Sequence, residues 1–178
     1  MLEDERLVRF DWAIKTILRD KANFDVLEGF LSALLREDIE VLNLLESESQ
    51  QETEHQKFNR TDFMVKDSSG RLIVTEIQNI TESDYMENLL FGTSKVIVDN
   101  LKFGEPYRKV AKVISVSILY FKTGSSGDDY VYYGSTRTTG LHTGTPLTIR
   151  KRIDSPDGGF TLRKADVENE VFPEYYMI

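Results

Sequence analysis

The chain of 178 residues contains no cysteine and only two histidines, His55 and His142. The first absence excludes disulfides, zinc-cysteine sites, iron-sulfur clusters and a thiol nucleophile, and with them a small secreted fold stapled by bridges. The second excludes a histidine-rich metal centre; both imidazoles are expected on the surface rather than as ligands. Any metal must therefore lean on carboxylates and other oxygen donors, the chemistry preferred by magnesium or manganese. Long apolar runs are missing as well. The longest, Val113 to Phe121, carries two serines and is about half of the roughly 20 residues a membrane helix needs. The opening MLEDERLVRFDW has no apolar targeting core, so a cytoplasmic location without a membrane partner is the expectation. Glycine-rich phosphate loops, a serine elbow, zinc spacings and internal repeats are also absent. Dinucleotide binding, nucleotide hydrolysis and triad hydrolysis thus lack their usual mechanics.

What is present suits one globular domain spanning residues 1–178, since a single core usually occupies roughly 100 to 200 residues. The net charge of -8 opposes general affinity for nucleic acid, which comes from basic groups meeting phosphates. Its distribution matters. Residues 1–60 hold 14 acidic and 8 basic groups, whereas residues 61–178 hold 16 and 14.

Phe24, Leu27, Leu31, Leu34 and Leu35 recur at spacings of three and four, predicting a helix with Asn23 as N-cap and Asp25 in its first turn. Glu28 lies within or at the edge of that apolar stripe. It either snorkels at the boundary or points toward a metal site on the sheet. Ile39 to Leu45 reads as a strand or a short helix, followed by a polar run to Gln56. Thr61 to Lys66 and Arg71 to Gln78 read as two strands joined by the turn Asp67-Ser68-Ser69-Gly70, a hairpin with a loop of about four residues. A helix is expected from Ser83 or Asp84 to the Gly104-Glu105-Pro106 turn. Lys112 to Phe121 reads as a strand buried on both faces. Beyond Lys122, tyrosine, threonine and isoleucine separated by glycine and proline predict short strands in a β-rich extension over about 122–178. The final EVFPEYYMI reads as an entering strand, either tucked into the sheet or leading into a C-terminal portion that this chain lacks.

The chemistry concentrates in the hairpin. Glu76 and Gln78 share one strand face, and Asp62 lies in the partner strand, within reach of Glu76 in a suitable register. Two carboxylates on an otherwise apolar sheet repel unless protonated or bridged by a cation. A divalent metal bridging them would neutralise a phosphodiester and activate water. Gln78 has no titratable group and could only position that water. The alternative is a solvent-facing pair on an edge hairpin, which the apolar Ile73, Val74 and Ile77 argue against. The basic residues Arg150, Lys151, Arg152, Arg163 and Lys164 form either an ordinary solvated hairpin face or a patch that contacts phosphates. Phe10 and Trp12, beside Lys15, are expected to pack the first helix rather than to stack on bases.

Several segments together resemble the PD-(D/E)XK nuclease family transposases, the group that includes recombination-promoting nucleases. They are FDWAIKTIL (10–18), FDVLEGFLSALL (24–35), RTDFMVK with Gly70, IVTEIQ (73–78) and GEPYRKVAKVISVSILY (104–120). The similarity covers roughly residues 8–121. It implies an α/β, restriction-endonuclease-like fold, a mixed central sheet flanked by helices, carrying the β-rich extension. It also implies magnesium- or manganese-dependent endonuclease action on double-stranded DNA. Asp62 and Glu76 would be the metal-binding pair, Gln78 would stand where the lysine is usual, and Glu28 would be an acidic residue supplied from a core helix. Tyr107 and Gly104 would serve structure. Asn88 occupies the position where the family commonly has arginine. That difference, with the acidic surface, motivates the alternative of a catalytically inactive DNA-associated or protein-interaction module. Association into homo-oligomers is left open.

Overall fold

A computed structural model describes residues 10–45, 62–78, 83–121 and 129–178. His55, the polar run, Thr61 and the Gly124–Asp128 loop lie outside the described residues, as do the side chains of Phe10 and Trp12.

The chain opens with α1 (Phe10–Arg19) and, after a 3-10 turn, α2 (Phe24–Leu35). Leu27 and Leu31 are fully buried, as their four-residue spacing requires. Asn23 precedes α2 but makes no side-chain cap; its amide donates to the Ile17 carbonyl instead. Arg36, at φ 57° and ψ 37°, ends the helix in the left-handed region. Gly29 is exposed, and a Cβ there would meet nothing within 4 Å. Close packing therefore does not explain this glycine.

Residues 39–45 resolve as a strand, β1 (Val41–Leu45), followed by the hairpin strands β2 (Phe63–Asp67) and β3 (Leu72–Gln78). Chemistry fixes the hairpin turn. The buried Asp67 carboxylate accepts from the Arg71 amide at 2.8 Å and from its guanidinium Nε at 2.6 Å. Gly70, at φ 81°, supplies the left-handed residue and donates back to the Asp67 carbonyl. Helix α3 (Tyr85–Asp99) crosses over to β4 (Val113–Leu119), which lies parallel to β3. Then come β5 (Tyr132–Ser135), the separate ribbon β6 (Thr148–Asp154) and β7 (Phe160–Asp166), the short helix α4 (Val167–Glu170) and β8 (Glu174–Met177).

The main sheet is mixed, in the order β1-β2-β3-β4-β8-β5. The C-terminal strand is tucked inside it, parallel to β4 and antiparallel to β5. Helices cover both faces. Ile73, Ile114 and Val116 pack with Leu18, Leu27 and Leu31 on the α1–α2 side, while Leu72, Val74 and Val113 pack with Val96 and Ile97 of α3. No helix among the described residues is long and apolar enough to cross a membrane.

Candidate active site

Strand alternation divides the side chains of β3 between the two helical layers. Leu72 and Val74 lie against α3, so Glu76 and Gln78, two and four positions beyond Val74, follow on the same face. Parallel pairing with β4 sets Val74 beside Ser115 and Glu76 beside Ser117. Along the strands the α3 face therefore changes from Leu72, Val74 and Val113 to Glu76, Gln78, Ser115 and Ser117. Gln78, Ser115 and Ser117 are buried and Glu76 is half-buried. The polar end lies at the carboxyl ends of the parallel strands β3 and β4, where open α/β sheets place their ligands.

Asp62 immediately precedes β2. The ladder of β2 with β3 ends at the Phe63–Thr75 pair, so Asp62 lies at the open end of the hairpin, next to the stretch of strand where Glu76 continues β3. The Asp62 amide donates to the Thr75 carbonyl at 3.1 Å. Its carboxylate accepts from the Ile77 amide at 2.7 Å through Oδ2 and meets the Lys15 ammonium at 2.7 Å through Oδ1. The Asp62 side chain is thus held in one orientation by a backbone donor and by a cation from α1.

Glu28 is placed elsewhere. Its carboxylate accepts from the Val41 amide at 2.7 Å, where β1 begins. Val41 pairs with Asp67, five residues along β2 from Asp62, or roughly 16 Å at about 3.3 Å per residue. The Ser32 hydroxyl accepts from the Ile39 amide nearby, so this contact belongs to the tie between α2 and β1. Among the described residues, no group of three acidic or imidazole side chains could share one ion.

The oxygen donors at this end of the sheet are of the kind that suits a hard divalent cation. Asp62 and Glu76 both lie at the open end of the hairpin, beside its last ladder pair Phe63–Thr75. The fully buried Ser117 Oγ, on the face of Glu76, has no hydrogen-bond partner among the described residues. Magnesium commonly takes one or two carboxylates and completes its shell with water and substrate phosphate, so carboxylates at this end of the sheet, with the orphaned Ser117 hydroxyl paired beside Glu76, are chemically suited to it.

The basic residues of the ribbon do not form one patch. Lys151 pairs with Arg163 across β6 and β7, and both bind the Glu170 carboxylate. Burial opposes ionisation of Glu170, but those two hydrogen bonds outweigh it and hold the carboxyl below its ordinary range. Arg152 bonds Asp154 at 2.6 Å and lies 4.0 Å over the Phe160 ring. Arg150 and Lys164, also paired across the ribbon, form no ion pair among the described residues. A cavity of about 1050 Å³, with Arg36, Lys66, Arg71, Arg108 and Lys112 in its wall, opens at the Leu72 end of β3. It lies six residues, or roughly 20 Å, from Gln78. Its Arg71 and Lys112 are already paired, with Glu37 and Glu174.

Lys15 and Ser117 were not assigned to the site from sequence. Period-two alternation puts Ser115 and Ser117 on one face, but their position beside Glu76 follows only once β3 and β4 are paired. Lys15 reaches Asp62 across 46 intervening residues, and no local pattern announces that contact.

The mixed sheet, the helical crossover between its parallel strands and the helices on both faces define an α/β fold of the restriction-endonuclease type. The chain belongs to the PD-(D/E)XK nuclease family transposases, whose family model matches residues 8–147. No curated protein and no solved structure matches it. Membership in this family supports a general enzymatic role acting on DNA.

Proposed function

We propose that the chain is a divalent-metal-dependent endonuclease of double-stranded DNA in which Asp62 and Glu76 hold magnesium or manganese. The observation that supports the reading is that both carboxylates lie at the open end of the hairpin, next to its last ladder pair Phe63–Thr75, with the orphaned Ser117 hydroxyl paired beside Glu76. When bound, the ion supplies charge neutralisation at the phosphoryl oxygens and activation of water. Asp62 presents a preset carboxylate because the Ile77 amide and Lys15 fix it. The Gln78 amide orients water without exchanging a proton. Glu28 anchors the start of β1. Of the basic ribbon residues, Arg150 and Lys164 are the phosphate contacts, because Lys151, Arg152 and Arg163 already face carboxylates.

The test is magnesium-dependent nicking of supercoiled plasmid by the parent and by Asp62→Asn and Glu76→Gln. Each variant should lose at least about 100-fold in rate while keeping its melting profile. Undiminished cleavage by both would refute the assignment. A second reading, a noncatalytic module on the same fold, rests on the absence of charge at Gln78 and on Asn88 in α3. Calorimetric titration with manganese separates the two: saturable binding that is lost in Glu76→Gln favours the nuclease, and no binding at millimolar metal favours the module.

A further inference from the structure

Resting on the nuclease reading above, we propose that Lys15 is a catalytic residue of this site, supplying from α1 the positive charge that Gln78 cannot carry. The Lys15 ammonium lies 2.7 Å from Asp62 Oδ1, with about a third of its side chain exposed and only 15% of the Asp62 side chain. It sits one position beyond Ile14, which with Leu18 packs α1 into the core. The helix therefore has its apolar face buried while the next residue projects toward the end of the sheet.

Charge accounting gives the ammonium its role. Asp62 and Glu76 together balance one divalent ion, leaving no net charge to meet a phosphodiester. With Lys15 the loaded site carries one positive charge, which the single negative charge of the scissile phosphate cancels. Before the ion arrives, Lys15 neutralises Asp62; when substrate arrives, it turns from Oδ1 to a non-bridging phosphoryl oxygen, a short movement for a flexible four-carbon stem. It takes up and releases no proton. One water adds across the phosphorus–oxygen ester bond, leaving a phosphate monoester and an alcohol. Gln78 remains the hydrogen-bonding partner of water, so the two tasks a lysine two residues beyond Glu76 would combine are divided between a strand amide and a helix ammonium.

The alternative, a pair that only braces the fold, predicts the opposite change in metal affinity. If Lys15 faces the ion, Lys15→Met removes a competing cation and tightens manganese binding by about three- to tenfold. If it merely positions Asp62, the same change weakens binding. The experiment uses the full chain and compares Lys15→Met and Lys15→Arg with the parent by manganese calorimetry without DNA, plasmid cleavage and thermal melting. The expected result is tighter manganese binding by Lys15→Met, a cleavage loss of at least about 100-fold, and recovery to within about tenfold of the parent in Lys15→Arg. Unchanged or weaker manganese binding by Lys15→Met overturns the proposal, as does cleavage within about threefold of the parent. If the parent binds manganese but does not cleave, the nuclease reading fails and the catalytic role of Lys15 fails with it, whereas a parent that cleaves while Lys15→Met binds manganese no more tightly overturns the role of Lys15 alone. If neither protein binds manganese, both fail.

Discussion

Replacing Lys112 by methionine should be the most damaging single change outside the apolar core. This side chain is only 6% exposed, and its ammonium meets Glu174 Oε1 at 2.7 Å, the Glu168 carbonyl at 2.8 Å and the Phe172 carbonyl. Three N–H donors thus find three acceptors, all in the segment that leads into β8. Methionine preserves most of the stem packing but leaves Glu174, 14% exposed, without its cation. Breaking a buried pair in this way costs about 3–5 kcal/mol, a range that overlaps the cost of two carbonyls losing their donor. Against a total stability of about 5–15 kcal/mol, the loss should be plain in urea unfolding followed by circular dichroism. The double variant Lys112→Met/Glu174→Gln should recover at least about 1 kcal/mol relative to the sum of the single changes. A loss below about 1 kcal/mol for Lys112→Met, or strict additivity in the cycle, would refute the claim that this ammonium holds the last strand in place.

Two further changes separate structure from chemistry in α2. Glu28→Gln should cost about 1–2 kcal/mol, because the hydrogen bond to the Val41 amide loses its charge assistance. It should leave manganese affinity unchanged by calorimetry; a loss as large as that of Glu76→Gln would return Glu28 to the metal site. Gly29→Ala should stabilise the protein by about 0.5–1 kcal/mol in urea titration, since the added methyl meets nothing and the helix interior gains a better former.

Much of this architecture was legible because it is written in local chemistry. Leucines three and four apart gave α2, the Asp67–Gly70 turn gave the hairpin, and the β-rich stretch from Lys112 to Phe121 gave β4. The position of Glu76 relative to Gln78 needed only strand alternation. The same rule divides Arg150, Lys151 and Arg152 between two faces of a ribbon, which a reading by charge clustering alone passes over. What could not be read locally depended on pairing partners distant in sequence. That Asp62 lies at the open end of the hairpin near Glu76 required the register of β2 on β3, Ser117 required β4 beside β3, and the contact of Glu28 required knowing where β1 begins. The Lys15–Asp62 contact joins the first helix to the hairpin, and neither segment carries a mark of the other.

The insertion of β8 between β4 and β5 has a kinetic consequence. In the main sheet β5 touches only β8, and 38 residues, 136–173, separate the two strands. At about 5–20 residues per second of synthesis, β5 emerges roughly 2–8 s before the strand that will hold it, and β4 waits with one edge bare for longer. During that interval the growing chain offers an apolar strand edge whose eventual occupant has not yet been made, so the vulnerable period for mispairing with another nascent copy is set by translation rather than by the stability of the finished sheet.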